Sequence, residues 1–353
     1  MDLSWFEGKR VFITGHTGFK GVWLSSILQR AGAEVTGYAL APTTPFFDLV
    51  NHDQLHSIIG DIRDLDHLSS AFRQFHPEIV FHLAAQPLVL EGYRDPALTY
   101  ETNVMGTVNL LECVRLADWS IRSVINVTTD KVYCNNEWEW PYREIDTLNG
   151  HDPYSNSKSC SELVTSCYRS SLVGSSVPLS TARAGNVIGG GDFADNRIIP
   201  DCIRAVASNS VISVRNPSSV RPYQHVLEPL SAYLSLAAAT SEDPTLAAAY
   251  NVGPRESDFV TTGELASLFC HHWGDGASWV HMDVHNPEEA RLLRLDSSLI
   301  SRVLGWHPLW SISQAVMATV DWTKVWLRGE DVNPVMDRQI DDYFTLSNDS
   351  CSA

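Results

Sequence analysis

Residues 8–21 read GKRVFITGHTGFKG, and how that stretch divides decides the fold. Residues 9–14 are β-branched and aromatic, the composition of a buried strand. Gly15, Gly18 and Gly21 follow at once, in G-x-x-G-x-x-G spacing. A tight turn at Gly15, bare backbone at Gly18 and close helix–strand contact at Gly21 suit a dinucleotide pyrophosphate, with Thr17 and Phe19 on the same turn. Residues 22–31 then read as a helix closed by Gly32.

Outward from this unit the alternation continues. Residues 34–39 read as a second strand, 58–59 as part of a third, 78–83 as a fourth, 124–129 as a fifth and 179–183 as a sixth. Residues 65–75 and 96–117 read as helices between them. Asp152–Pro153 reads as the N-cap and first position of another helix. Apolar strands alternating with helices predict an α/β, Rossmann-like, doubly wound parallel sheet covered on both faces. Residues 135–150, rich in Trp, Glu and Asn, read as a surface loop near the ligand. After Gly185 the texture changes. Glycine, proline and arginine crowd residues 186–197 and 216–221, an Ala/Leu-rich helix follows at 226–240, and short Trp-containing helices come later. The predicted organisation is a dinucleotide-binding domain over 1–185, with 224–250 returning to it. A smaller carboxyl-terminal substrate-binding lobe covers 186–223 and 251–340. The acidic chain after Asp331 reads as weakly ordered, ending in a tail at 341–353. Ligands of such sheets sit at the carboxyl ends of the strands.

Composition narrows the function. The 353 residues are 44% apolar and 19% charged, a globular balance. The 25 basic and 42 acidic residues leave a net charge of −17, which gives nucleic acid and anionic membranes no general attraction. An anionic ligand must be met locally, by placed arginines and backbone amides. No apolar run approaches the ~20 residues of a membrane span, and the first residues lack the order of a signal peptide. Seven scattered cysteines without C-x-x-C predict a reducing cytoplasm.

Thr129, Tyr154 and Lys158 carry the sharpest chemical signal. Tyr154 and Lys158 are four apart and share one helix face. A neighbouring ammonium favours the tyrosinate, so the Tyr154 phenol is expected below its reference of ~10. Such a tyrosine removes a proton from a sugar hydroxyl while hydride leaves the same carbon for a nicotinamide. Thr129, at a strand end, would hold that hydroxyl. The second strand ends without an acidic residue for the adenosine ribose, and Asp61 and Ile62 after the third strand are candidates for the adenine edge. His281, Asp283, His285 and Glu288 have no spacing that compels a metal, nor do His271 and His272, and no metal is expected.

The stretches HLAAQPLV, TNVMGT, TTDK, DPYSNSK, RAGNVIGGGD, RPYQHVLEPL and LGWHPLW, together with the glycine turn, carry a family likeness. The chain resembles the extended short-chain dehydrogenase/reductases that modify nucleotide sugars, and within them the CDP-glucose 4,6-dehydratases, over nearly its whole length. The resemblance implies NAD, reduced and reoxidised within each turnover, and a CDP-glucose substrate that loses water to become a 4-keto-6-deoxy sugar. It implies Asp130 as the acid that protonates the leaving C6 hydroxyl. For Lys131 two roles stay open: a base at C5, or a cation that stabilises the enolate. Asn103 is implied as the brace of the lysine helix, and Ala84, Ala85 and Gln86 as small or polar groups along the cofactor. Asn186, Arg197, Arg221 and His225 are implied for the substrate, Arg221 as a diphosphate clamp. A homodimer through the helices at 96–117 and 153–168 is implied as well. Leu90 stands where the family pattern leads one to expect Arg, which bears on substrate choice. A related dehydratase, a 4-epimerase and a non-catalytic NAD(H)-binding sensor are the alternatives. Asp130–Lys131 speaks against the epimerase, and the Thr129, Tyr154, Lys158 set against the sensor.

Overall fold

The computed structural model describes residues 2–282 and 291–351. Its central sheet has seven parallel strands: β1 (Arg10–Thr14), β2 (Glu34–Ala39), β3 (Leu55–Ile59), β4 (Ile79–His82), β5 (Ser123–Thr129), β6 (Leu179–Ala184) and β7 (Ala249–Val252). Their order is β7-β6-β5-β4-β1-β2-β3. The winding reverses between β1 and β4, so the turn after β1 opens at the switch point where such sheets bind ligands. The register aligns the strand ends: Thr14 lies beside Tyr38 and His82, and Thr129 beside Ala184.

Every residue of β4, β5 and β6 is buried, as strands covered on both faces must be. The helix after the glycine turn, Phe19–Arg30, begins three residues earlier than the apolar pattern indicated, because Gly18 is its N-cap. Gly15 holds φ +80°, and a Cβ there would stand 2.7 Å from the Ala84 amide nitrogen. A Cβ on Gly21 would meet the Gly15 carbonyl. Both positions therefore require glycine.

The helix expected at 96–117 is Pro96–Tyr100 and Gly106–Arg115, joined by a π-turn at Glu101–Met105. The π-turn surrounds buried Asn103, whose amide is committed to neighbouring elements. β7 is a strand that hydrophobic patterning did not reveal: four residues, Ala-Tyr-Asn-Val, carry too little pattern.

The smaller core joins Ile188, Ile199, Ile212, Tyr223, Phe269 and Val316. It is built from the helices Ile198–Ala207, Thr262–Trp273 and Ile312–Leu327 and short strands such as Ile212–Val214. The helix Leu227–Glu242 packs instead on the main core, where Thr240 meets Ser123 across 2.8 Å.

The expectation of weak order after Asp331 is corrected. Asn333–Cys351 is a helix. Val332, Val335, Met336, Ile340 and Tyr343 are buried at helical spacing against the main core. The acidity that suggested disorder lies on the other face, where Asp337 and Asp341 both pair with Arg30. No helix among the described residues is long and apolar enough to cross a membrane. Of the His281, Asp283, His285, Glu288 group, only His281 falls within the described residues.

Candidate active site

The cofactor cradle follows from the switch point. No side chain caps the helix at Gly18, so its first amides have no partner within the helix and face outward at its positive end. The space at Gly18 is open, for an added Cβ would meet nothing nearer than the Gly15 carbonyl at 3.4 Å. Thr17 Oγ1 donates to the Leu40 carbonyl at 3.0 Å, closing the turn against the end of β2. Beyond β4, Ala84 N donates to Thr14 Oγ1 at 3.2 Å. Gln86 is held by Thr99 (2.8 Å) and by the Leu88 amide (2.6 Å). A bare helix N-terminus, a glycine floor and the small Ala84 and Ala85 fit a dinucleotide diphosphate. Asp61 is engaged by Arg63 at 2.6 Å, whose hydrogen bonds draw its pKa down. Ile62 is buried against Gly106.

The candidate reaction centre forms where β5 ends. Thr129 Oγ1 donates to Asp130 Oδ1 at 2.9 Å. Asp130 opens a short 3₁₀ turn and is completely buried, and its Oδ2 has no partner among the described residues. Lys131 Nζ lies 3.3 Å from Asp130 Oδ1 and 3.4 Å from Asn186 Oδ1. Opposite stands the helix Pro153–Cys167, capped by Asp152 through the Ser155 amide. It presents Tyr154 and Lys158 on successive turns, both buried. Lys158 Nζ donates to the Val127 carbonyl of β5 at 3.2 Å. Asn103 braces this helix. Its Oδ1 accepts from the Gln86 amide (2.8 Å), and its Nδ2 donates to the Gln86 carbonyl (3.0 Å) and Ser157 Oγ (2.9 Å). One amide thus ties the end of β4 to the catalytic helix through the π-turn. Gly92 on the helix Val89–Arg94 faces Tyr154, and a Cβ there would lie 3.1 Å from its amide. Leu90 on the same helix is exposed.

The expected lowering of the Tyr154 pKa does not hold in this structure. Burial pushes the phenol up to about 12, and the hydrogen bond with Thr129 pulls the other way without prevailing. Burial also draws Lys158 down to about 8, against the upward pull of Glu162. Both charged forms lose water here, and that loss exceeds the attraction that sequence spacing suggested.

Sequence reasoning missed Lys20. Its Nζ lies 3.3 Å from the Tyr233 hydroxyl. Burial, then Arg197, Lys158 and Lys131, draw it down to about 7, with Asp130 opposing. Its place between Phe19 and Gly21 was the available signal. Lys20, Lys131, Lys158 and Arg197 form a local positive field in an acidic chain, which suits an anionic ligand. Arg197 pairs with Asp192 at 3.2 Å. Arg221 is buried on the strand Val220–Arg221 and donates to the Val220 carbonyl at 2.9 Å. His225 is corrected: it has no exposed surface. Its ring lies between Trp23 and Trp310, and its Nδ1 accepts from the Leu227 amide at 3.3 Å. It belongs to the core, where burial holds it neutral with a pKa of about 3. Among the described residues no group of three His, Cys, Asp or Glu side chains is arranged to hold a metal.

Comparison with known proteins matches residues 12–319 to the family model described as GDP-mannose 4,6 dehydratase. A CDP-glucose 4,6-dehydratase of Salmonella typhimurium is 48% identical over 98% of this chain and 99% of its own length. Among solved structures, an epimerase from Methanothermobacter thermautotrophicus superposes with a TM-score of 0.83 at 21% identity, covering 93% of this chain and 96% of its own. A dTDP-glucose 4,6-dehydratase from Streptomyces venezuelae, solved with NAD bound, gives 0.79 at 23% identity, covering 92% and 99%.

Proposed function

The chain belongs to the GDP-mannose 4,6 dehydratase family, and from that membership we propose that it acts as a CDP-glucose 4,6-dehydratase. It converts CDP-D-glucose to CDP-4-dehydro-6-deoxy-D-glucose and water, using NAD. The observation that carries the reaction type is buried Asp130, paired with half-buried Lys131, beside Tyr154 and Lys158. Exchange of a hydride at C4 alone needs the tyrosine and lysine. Removing water from C5 and C6 needs a second acid and base.

Gly15, Thr17, Gly18, Phe19 and Gly21 would hold the diphosphate of NAD, with Asp61, Ile62, Ala84, Ala85, Gln86 and Asn103 along the remainder. With NAD held there, the chemistry it would supply is acceptance of the C4 hydride and its return at C6. Tyr154 takes the C4 hydroxyl proton while Thr129 holds the oxygen, and Lys158 favours the ionised phenol. The C4 ketone makes the C5 proton acidic. Lys131 Nζ lies 3.3 Å from Asp130 Oδ1. Lys131 receives the C5 proton and Asp130 delivers a proton to the C6 oxygen, which leaves as water. As hydride returns to C6, C5 takes a proton from solvent; the proton on Lys131 passes to Asp130, and Tyr154 releases the C4 hydroxyl proton to solvent, which closes the cycle. Asn186 orients Lys131, and Arg197 and Arg221 serve the substrate diphosphate.

Of the lobe division read from the sequence, 186–223 and the middle of 251–340 would close over the strand ends, whereas Ala249–Val252 joins the main sheet and Asn333–Cys351 packs on its core. Exposed Tyr100, Met105 and Leu163 on the two long helices support a homodimer through that face. The described cysteines are all free, which supports a cytoplasmic setting. The test is mass spectrometry of products after incubation with CDP-, dTDP-, GDP- and UDP-glucose in D₂O. Loss of water from CDP-glucose, with one solvent deuterium gained, is the expected result. An unchanged mass with every sugar would reject the proposal.

A further inference from the structure

The segment that carries Thr129, Asp130 and Lys131 is gripped on both sides by consecutive residues of the helix Pro153–Cys167. Before it, Lys158 Nζ donates to the Val127 carbonyl of β5 at 3.2 Å. After it, Ser159 Oγ donates to the Val132 carbonyl at 2.7 Å. Val132 is the last residue of the 3₁₀ turn that Asp130 opens, and its carbonyl also accepts from the Asn149 amide at 3.0 Å. The Ser159 hydroxyl in turn accepts from the Gly150 amide at 3.0 Å. Its other acceptor, the Ser155 carbonyl of its own helix, is farther off at 3.1 Å. One hydroxyl thus joins three pieces of chain: the turn, the link at 149–150 and the helix. Ser159, Val132 and Gly150 are all buried. The link can lie so close only because Gly150 has no side chain, for a Cβ there would stand 2.3 Å from the Ser155 carbonyl carbon.

We propose that Ser159 is a positioning residue for elimination: by clamping the exit of the Asp130–Val132 turn to the helix of Tyr154, it fixes the groups that remove water relative to the groups that move hydride. The inference rests on the roles given above to Asp130, Lys131, Tyr154 and Lys158. Those roles require such a clamp. Tyr154 meets the oxygen on C4, while Lys131 and Asp130 meet the hydrogen on C5 and the oxygen on C6 of the same sugar. The two sets stand on different elements, one on the helix and one beyond the end of β5. Productive geometry tolerates about 0.5 Å of error, and a misplacement of about 1 Å costs about a hundredfold in rate. The sheet fixes the entry of the turn, since Thr129 lies in register with Ala184 of β6. The exit lies beyond the sheet, where Ser159 and the link hold it. Loss of the Ser159 hydroxyl leaves the grip of Lys158 on Val127 in place. Its effect therefore falls on water loss and spares the hydride step.

The test separates the two halves of turnover. Rapid mixing with NAD and CDP-glucose follows C4 oxidation by the absorbance of reduced nicotinamide, and mass spectrometry follows water loss. Ser159→Ala is expected to slow water loss about tenfold while reduced nicotinamide forms within about twofold of the wild-type rate, so the reduced cofactor accumulates. Deuterium at C5 then slows kcat more in the variant than in the wild type, because elimination has become limiting. Thr165→Val is the control. Thr165 is buried farther along the same helix, where it donates to the Ser161 carbonyl (2.7 Å) and accepts from Asn126 Nδ2 (2.8 Å). It too loses buried hydrogen bonds and melts early, but it keeps the wild-type ratio of the two rates. A hydride step slowed as much as elimination in Ser159→Ala, no slowing of elimination, or the same imbalance in Thr165→Val would overturn the proposal. Should Ser159→Ala fail to fold, Ser159→Cys, whose thiol is only a weak donor, is read in the same way. A wild type that removes no water from CDP-glucose rejects the functional reading on which the inference rests. A wild type that turns over, with Ser159→Ala unaltered beside it, rejects the role of Ser159 alone.

Discussion

Two buried polar clusters lie one helical turn apart on Pro153–Cys167, and they are finished to different degrees. In the lower one both oxygens of Glu162 are paired, by Thr128, Thr181 and Arg183. In the upper one Asp130 is equally buried, but its Oδ2 has no partner among the described residues. Tyr154 and Lys158 are both displaced from their ordinary pKa values by loss of water. A buried polar atom without a partner costs free energy; the lower cluster holds one too, Arg183 Nε, but both oxygens of its carboxylate are paired. The lower cluster holds the helix to the sheet, and the upper cluster carries the groups proposed to act at the sheet edge.

That contrast is broken most directly at Tyr154. Tyr154→Phe is expected to lower turnover by about a thousandfold or more while melting and NAD binding stay near wild type. A large loss of stability would instead place Tyr154 in the structural cluster. The next largest effect comes with acid. His82 and His225 are held neutral with pKa values of about 3, and His16 with about 4, all mainly by burial. Unfolding lets each take up a proton near its reference of ~6.5. Their contribution is full above pH ~6.5 and is lost as the pH falls toward those lowered values, at about 1.4 kcal/mol per unit for each ring. Denaturant titrations between pH 7 and 5 measure the slope.

Breaking the lower cluster should cost less than that combined loss but more than any change in the upper one. Glu162→Gln is expected to destabilise by about 3 kcal/mol, since it strands the Arg183 charge. Asp130→Asn is expected to cost under about 1 kcal/mol and to abolish elimination. Equal costs in urea melts would erase the distinction. A separate test concerns Glu228, a paired carboxylate like Glu162 but with no bonded cation. The amides of Leu309 and Trp310 and the Tyr343 hydroxyl donate to it, yet burial pushes it up to about 7. Its folded pKa lies above its unfolded one, so its contribution falls as pH rises from about 4.3 toward 7, by up to about 1.4 kcal/mol per unit. Glu228→Gln should remove that slope while leaving the histidine slope in place.

The glycine turn, the first six strands and the Asp152 cap were legible because each has local chemistry: a special backbone, a continuous apolar run, a side-chain cap. β7 was not, because four residues gain their strand character only from pairing with β6. The carboxyl-terminal helix was hidden by the acidity of its outer face. Tyr154 and Lys158 were legible as a pair but not in their ionisation, which depends on burial supplied by distant chain. His225 was misplaced for the same reason, since Trp23 and Trp310 that enclose it come from far along the chain. Glu162 stood in plain view four residues after Lys158, but its partner Arg183 arrives only when β6 is laid beside β5.

The most direct test of the whole account is to turn over CDP-glucose carrying deuterium at C4 in ordinary water and locate the label by NMR. Internal hydride return predicts a 4-keto-6-deoxy product with the deuterium at C6 and solvent hydrogen at C5. Deuterium still at C4 of an intact hexose, or lost to solvent, would contradict the account.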